Sequence, residues 1–140
     1  METPIASPVL WPAIVAAARS CVGTRFRAQG RLPGLGLDCV GVVLIAAAAA
    51  GIVPAVIPAY RLGGDCPDVD AILAGHGCRQ VDAVLPADVL VFAPTGRQRH
   101  VGIVTPQGLI HAHAGLGRVV EGPIDADWTV IGRWRLPGAR

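Results

Sequence analysis

The sequence predicts an α+β domain, with helices in its first half packed on an antiparallel sheet of about five strands in its second half. Two patterns carry that prediction. An uncharged apolar run, Val40 to Ala50, opens after Asp38-Cys39 and stops at Gly51, as a buried helix does between a favoured N-cap and a terminal glycine. From residue 89 onward, short segments of alternating pattern follow one another, with turn residues between them. The chain has 140 residues, enough for one core without disulfides, so residues 1–140 are expected to form a single domain.

Taken in order, Ser7-Pro8-Val9-Leu10-Trp11-Pro12 leads into a helix from about Pro12 to Cys21, with proline in its first turn. Cys21 reads as a small core residue at its end. Gly23 to Leu37 reads as a loop rich in Gly, Arg and Pro, and the Cys39 helix follows it. A short helix is expected over Asp68 to Ala74, with Gly75 and Gly77 beyond it. Strands are expected at Val89 to Phe92, His100 to Val104, Leu109 to His113, Arg118 to Glu121 and Val130 to Leu136. The uncharged stretch from Val40 to Tyr60 has the length of a membrane span. Gly51, Pro54 and Pro58 break it, so a buried helix followed by an extended connector explains it better. Glu2 replaces the basic region of a signal peptide and Ala13 to Ala18 is too short for a secretory core, so cytoplasmic synthesis is expected.

Composition excludes several classes. The hydrophobic excess that raises the mean hydropathy to +0.51 is mostly alanine and valine, which suits a compact core of small residues. All 12 basic residues are arginine, the net charge is only +2, and no basic run exists, which argues against a nucleic-acid module. The cysteines at 21, 39, 66 and 78 form no Cys-x-x-Cys, and the histidines lack zinc-finger spacing, so no metal is expected. Cys66 and Cys78 flank Pro67 to Gly77; two unpaired thiols are the simplest reading, with a disulfide reserved for an oxidising compartment.

Chemistry concentrates elsewhere. Cys39 falls in the first turn of a helix, where unpaired N–H groups and the helix dipole favour a thiolate. About sixty residues later, Arg99-His100-Val101-Gly102-Ile103-Val104 begins a strand with a histidine. Leu109-Ile110-His111-Ala112-His113 follows after Thr105-Pro106-Gln107-Gly108. A thiol at a helix start and histidines on paired strands are the parts of a nucleophile with its base and orienting partner. His111 and His113, two apart, are expected on one face of their strand. His76, between two glycines, reads as a solvated loop residue. Asp88 and Glu121 read as turn and surface carboxylates.

Four segments resemble the NlpC-type cell-wall peptidases, papain-like cysteine enzymes that cut peptidoglycan stem peptides. Val22-Gly23-Thr24-Arg25-Phe26-Arg27-Ala28-Gln29-Gly30 looks like the family's Gly-Thr-Pro-Tyr loop, and Asp38-Cys39-Val40-Gly41-Val42-Val43 like its Asp-Cys-Ser-Gly-Leu motif. Leu85-Pro86-Ala87-Asp88-Val89-Leu90-Val91-Phe92 is similar to its Pro-Gly-Asp-Leu-Val-Phe-Phe strand. His100 to Val104 with Leu109 to Ala112 is similar to its two histidine strands. Their order and spacing cover roughly residues 12 to 121. Ala28-Gln29-Gly30 and the closing Gly132-Arg133-Trp134-Arg135-Leu136-Pro137-Gly138 look most like the phage-tail and gene-transfer-agent branch.

The resemblance implies Cys39 as nucleophile, His100 as general base and His111 as the residue that orients it. Phe26, Arg25, Arg27, Asp38 and His113 are expected around the substrate, and Arg25, Arg27 or Arg31 to pair with its carboxylates. The implied substrate is the D-Glu to diaminopimelate bond, cut without metal or cofactor, in a tail-like particle at the bacterial wall or periplasm. Two positions depart from the family. Phe26 stands where a tyrosine hydroxyl usually faces the nucleophile, and Arg25 replaces proline. Losing an oxyanion donor costs on the order of 3 kcal/mol in other enzymes. The rival readings are a structural tail-assembly subunit with a degenerate pocket, and a thiol acyltransferase. Relatives of the latter kind usually place histidine before cysteine, the reverse of the order here.

Overall fold

A computed structural model of the chain describes residues 9–28, 30–32, 34–53, 69–94 and 98–140. The first helix, α1, spans Trp11–Ser20, with Pro12 in its first turn and Cys21 as its C-cap. The segment expected as plain loop holds two short antiparallel strands, β1 (Arg31–Leu32) and β2 (Gly36–Leu37). Helix α2 runs Cys39–Ala48 and helix α3 runs Val69–Gly75. Six strands follow: β3 (Arg79–Gln80), β4 (Val89–Ala93), β5 (His100–Thr105), β6 (Gly108–His113), β7 (Arg118–Gly122) and β8 (Thr129–Arg135). They form one antiparallel sheet in the order β3-β8-β4-β5-β6-β7. The sixth strand is β3, two exposed residues whose only signal is their pairing with Gln80↔Trp134 register on β8.

Helix α2 begins and ends where its local chemistry dictates. Asp38 has extended backbone and its carboxylate accepts the Gly41 N–H at 2.7 Å, satisfying one donor that a helix start leaves open. Gly51, just past the end, adopts φ +75°, a conformation that costs glycine nothing. Between them the helix is apolar all round, and Gly41, Val42, Val43, Ala46 and Ala47 are buried. Gly41 has a steric role too: a Cβ there would run into the Gly30 carbonyl and the Leu37 side chain.

Strand alternation divides the core between the two faces of the sheet. Val89, Val91, Val101, Ile103, Ile110 and Ala112 form the larger core with Ile14, Val15 and Ala18 of α1 and Val42, Val43 and Ala46 of α2. Helix α2 lies against β5 and β6, and α1 lies against α2. Leu90, Phe92, Val104 and Leu109 form a smaller cluster on the alternate positions, with Trp128 and Val130 packed against it. A bulge in the β4–β8 register lets Val91 face Gly132 while Phe92 faces Val130, so Ile131 is the extra residue.

Asp88 is not a surface turn residue. It is fully buried, accepting from Arg135 at 2.8 Å on each carboxylate oxygen and from the Leu85 N–H at 2.8 Å. The turn before it holds Ala87 at φ +78°, where the family motif has glycine. Glu121 is half-buried and accepts from Arg19 of α1 at 3.1 Å and from Thr105 at 2.7 Å, tying α1 to the sheet. Cys21 is fully buried, as expected. Cys78 is a buried free thiol, while Cys66 and the connector after Val53 lie outside the described residues. No helix among the described residues is long and apolar enough to cross a membrane.

Candidate active site

The loop from Thr24 to Leu37 and the end of the sheet are knitted together by backbone. Phe26 N–H donates to the Gly117 carbonyl at 2.8 Å, and Val119 N–H to the Thr24 carbonyl at 2.8 Å. Arg27 N–H and the Leu37 carbonyl meet at 3.0 Å, as do Leu37 N–H and the Arg25 carbonyl. The Thr24 hydroxyl accepts the Gly34 N–H at 3.1 Å. Leu37 is followed directly by the Asp38 cap and Cys39. The start of α2 is thereby fixed at the end of the sheet where β6 finishes with His113 and β7 begins with Arg118. Antiparallel pairing brings the first residue of β5, His100, to that same end.

Cys39 is half-buried and packs against the larger core. The imidazoles occupy the strand positions that alternate with Val101, Ile110 and Ala112. His100 Nε2 and His111 Nδ1 are 2.7 Å apart, with ring centroids at 4.9 Å. That hydrogen bond needs one N–H donor and one lone pair, so the two rings share their tautomeric choice. His111 is buried, and its ring lies 5.5 Å from that of His113, which the period of two puts on the same face. His113 Nδ1 accepts the Leu116 N–H at 3.1 Å, which fixes that ring to the turn after β6.

Burial sets the charge of the pair. The desolvated ring of His100, with His111 and His113 as cationic neighbours when protonated, titrates at about 3. His111 is lowered to about 4, by burial first and His113 second. Both rings are therefore neutral at pH 7. Burial pushes the thiols of Cys21 and Cys78 up, away from the reactive range.

The expected substrate-side residues divide. Arg25 and Arg27 are exposed, with the Arg27 stem lying over Gly36. Phe26 is half-buried against the larger core. Asp38 is fully buried under the helix it caps, which leaves it no surface to offer a substrate. His76 is not simply solvated: it is half-buried after α3, its Nδ1 2.7 Å from the Ile72 carbonyl, beside an apolar hollow lined by Val43, Ala47, Leu73 and Cys78. Among the described residues no group of three or more His, Cys, Asp or Glu side chains could hold a metal ion.

One residue at the histidines has no signal in the sequence. Trp128, half-buried at the end of the β7–β8 connection, has its ring centroid 4.8 Å from His100, 5.6 Å from His111 and 6.1 Å from His113. It also meets Phe92 edge-on at 5.6 Å. Only the β4–β8 register, read in three dimensions, brings it there.

No protein-family model matches the chain, and no curated protein matches it by sequence. Solved structures do match its fold. NlpC2 from Trichomonas vaginalis aligns with a TM-score of 0.67 at 17% identity, covering 94% of this chain and 49% of that one. NlpC1 from the same organism aligns with a TM-score of 0.66 at 18% identity, covering 94% of this chain and 47% of that one. The chain thus spans about half the length of the solved structures it matches. With three helices and a six-stranded antiparallel sheet among its described residues, the chain has an NlpC-like α+β fold.

Proposed function

We propose that this chain is a cysteine peptidase that cuts peptidoglycan stem peptides, with Cys39 as nucleophile, His100 as general base and His111 as its orienting partner. The observation that carries the reading is the 2.7 Å His100–His111 hydrogen bond at the end of the sheet where the Asp38-capped helix begins with Cys39. The likeness to the two NlpC structures supports it at the level of fold.

In this reading His100 uses Nδ1 as the base, so Nε2 carries the proton donated to His111 Nδ1, and His111 keeps its own proton on Nε2. The thiol proton passes to His100 Nδ1 as sulfur attacks the amide carbonyl. The C–N bond breaks when His100 returns that proton to the leaving amine, and water then releases the acyl group from sulfur. The Cys39 backbone N–H serves the oxyanion. The reading requires the sulfur to meet His100 at the rim of the sheet, since the imidazoles occupy strand positions alternate to those under α2. Arg25 and Arg27, both exposed beside that rim, suit the free carboxylates of a D-Glu to diaminopimelate substrate. The setting is a phage-tail-like or gene-transfer-agent particle acting at the bacterial wall or periplasm.

The deciding experiment is digestion of purified peptidoglycan with mass analysis of released fragments. Peptides cut after D-Glu by the wild type, and none from Cys39→Ala, are expected. His111→Ala should lower turnover at least about tenfold and His113→Ala less, because one imidazole holds the base ring. A folded wild type that releases nothing overturns the reading. Phe26, which lacks the family's hydroxyl, would then favour a structural tail subunit on the same fold.

A further inference from the structure

We propose that Trp128 is a positioning residue for the imidazole pair: its indole covers the His100–His111 hydrogen bond, fixes both ring planes by edge contact and keeps water from competing for the shared proton. This deepens the peptidase reading, and its kinetic consequence rests on that reading. Its structural content does not.

The geometry is built from several elements. Trp128 meets His100 at an interplanar angle of 68° and His111 at 89°, both edge arrangements, while it stacks on His113 at 28°. Edge-to-face packing is directional, so each contact restricts the rotation of an imidazole about its own axis. Phe92, fully buried on β4, supports the indole from beneath. The indole is also aimed from behind. The Trp128 backbone N–H donates to the Asp125 carbonyl at 3.2 Å, and the Asp127 backbone N–H to the Asp125 carboxylate at 2.9 Å, closing a turn just before β8. The bulge at Ile131 keeps Val130 and Trp128 on the Phe92 face.

A hydrogen bond between two neutral rings is worth little where water offers the same partners, and more where water is excluded. Among the described ring contacts, His100 meets Phe92 from β4, His111 from β6 and Trp128 from the connection, with His113 next to His111, and the peptidase reading adds the Cys39 thiol at Nδ1. The titratable ones among them are both histidines and, in the peptidase reading, Cys39. Burial is the first cause that keeps both rings neutral, and the charge of the neighbouring histidines is the second. The indole supplies part of that burial.

The test uses the full chain with labelled histidine side chains, as wild type, Trp128→Leu and Trp128→Phe. In the wild type, NMR should show cross-relaxation between indole protons and the ring protons of both His100 and His111; its absence overturns the proposal whatever the variants do. In Trp128→Leu the apparent pKa of both rings should rise by about one unit or more toward the free value, whereas Trp128→Phe should stay close to wild type. In the digestion assay Trp128→Leu should lower kcat at least about tenfold with KM nearly unchanged, and Trp128→Phe should restore most of it. A folded Trp128→Leu with unshifted imidazoles overturns the proposal. If the wild type cuts no peptide, the peptidase reading fails, and the titration still decides what Trp128 does.

Discussion

Replacing Asp88 by asparagine removes one charge from the most buried ion pair described here and leaves the volume unchanged. The Asp88 carboxylate accepts two guanidinium N–H groups of Arg135 and the Leu85 N–H, each at 2.8 Å. An asparagine keeps one acceptor oxygen and turns its amide N–H groups toward the guanidinium, donor against donor. Breaking a buried pair by removing one partner costs about 3–5 kcal/mol. The Arg135 side chain retains 11% of its exposure, so water softens the loss and about 3 kcal/mol is expected. For a domain of this size that corresponds to a fall in Tm of roughly 10 °C. Thermal melts and urea titration of Asp88→Asn at pH 7 measure it. Asp88→Asn combined with Arg135→Met should lose less than the sum of the single changes. A loss below about 1 kcal/mol would place the pair in the class of surface salt bridges and refute the argument.

Two further outcomes follow from the site. His100 and His111 titrate at about 3 and about 4 in the folded protein, below the ordinary 6.5, so the unfolded chain binds more protons in the interval between. Stability should be full well above pH 6.5 and fall as pH drops toward 4, with a slope approaching about 2–3 kcal/mol per pH unit for the two rings together, which His111→Gln should roughly halve. Urea midpoints across that range check it, and a flat profile in the wild type contradicts it. If the proposed peptidase reading holds, Phe26→Tyr adds a donor where the resemblance to NlpC-type peptidases expects a tyrosine hydroxyl. Turnover on wall peptides should rise with little change in KM, since such a bond forms chiefly in the transition state. An unchanged rate in an active enzyme means that another group already serves the oxyanion.

Local chemistry was legible in the sequence, and distant partnership was not. The cap, start and glycine stop of α2 depend on residues within one or two turns, and they fall within two residues of expectation. Period-two spacing put His111 and His113 on one face, and the hairpin between β5 and β6 brought His100 to His111. Asp88 looked like a turn carboxylate because its partner, Arg135, lies 47 residues away and reaches it only through the β4–β8 pairing. Trp128 escaped for the same reason. The two-residue strands β1, β2 and β3 carry too few positions for a period to show. His76 looked solvated between its glycines, yet the turn after α3 folds its ring back onto the Ile72 carbonyl.

The central claim is that Cys39 and the imidazole pair form one thiol site at the rim of the sheet. Residue-resolved alkylation by iodoacetamide across pH, in the wild type and in His100→Ala, tests it most directly. Near pH 7, Cys39 should react at least roughly a hundredfold faster than Cys21 and Cys78, whose buried thiols stay protonated. His100→Ala should slow Cys39 and leave the other two unchanged. Cys39 reacting at the rate of the buried thiols, or keeping its rate without His100, would contradict the account.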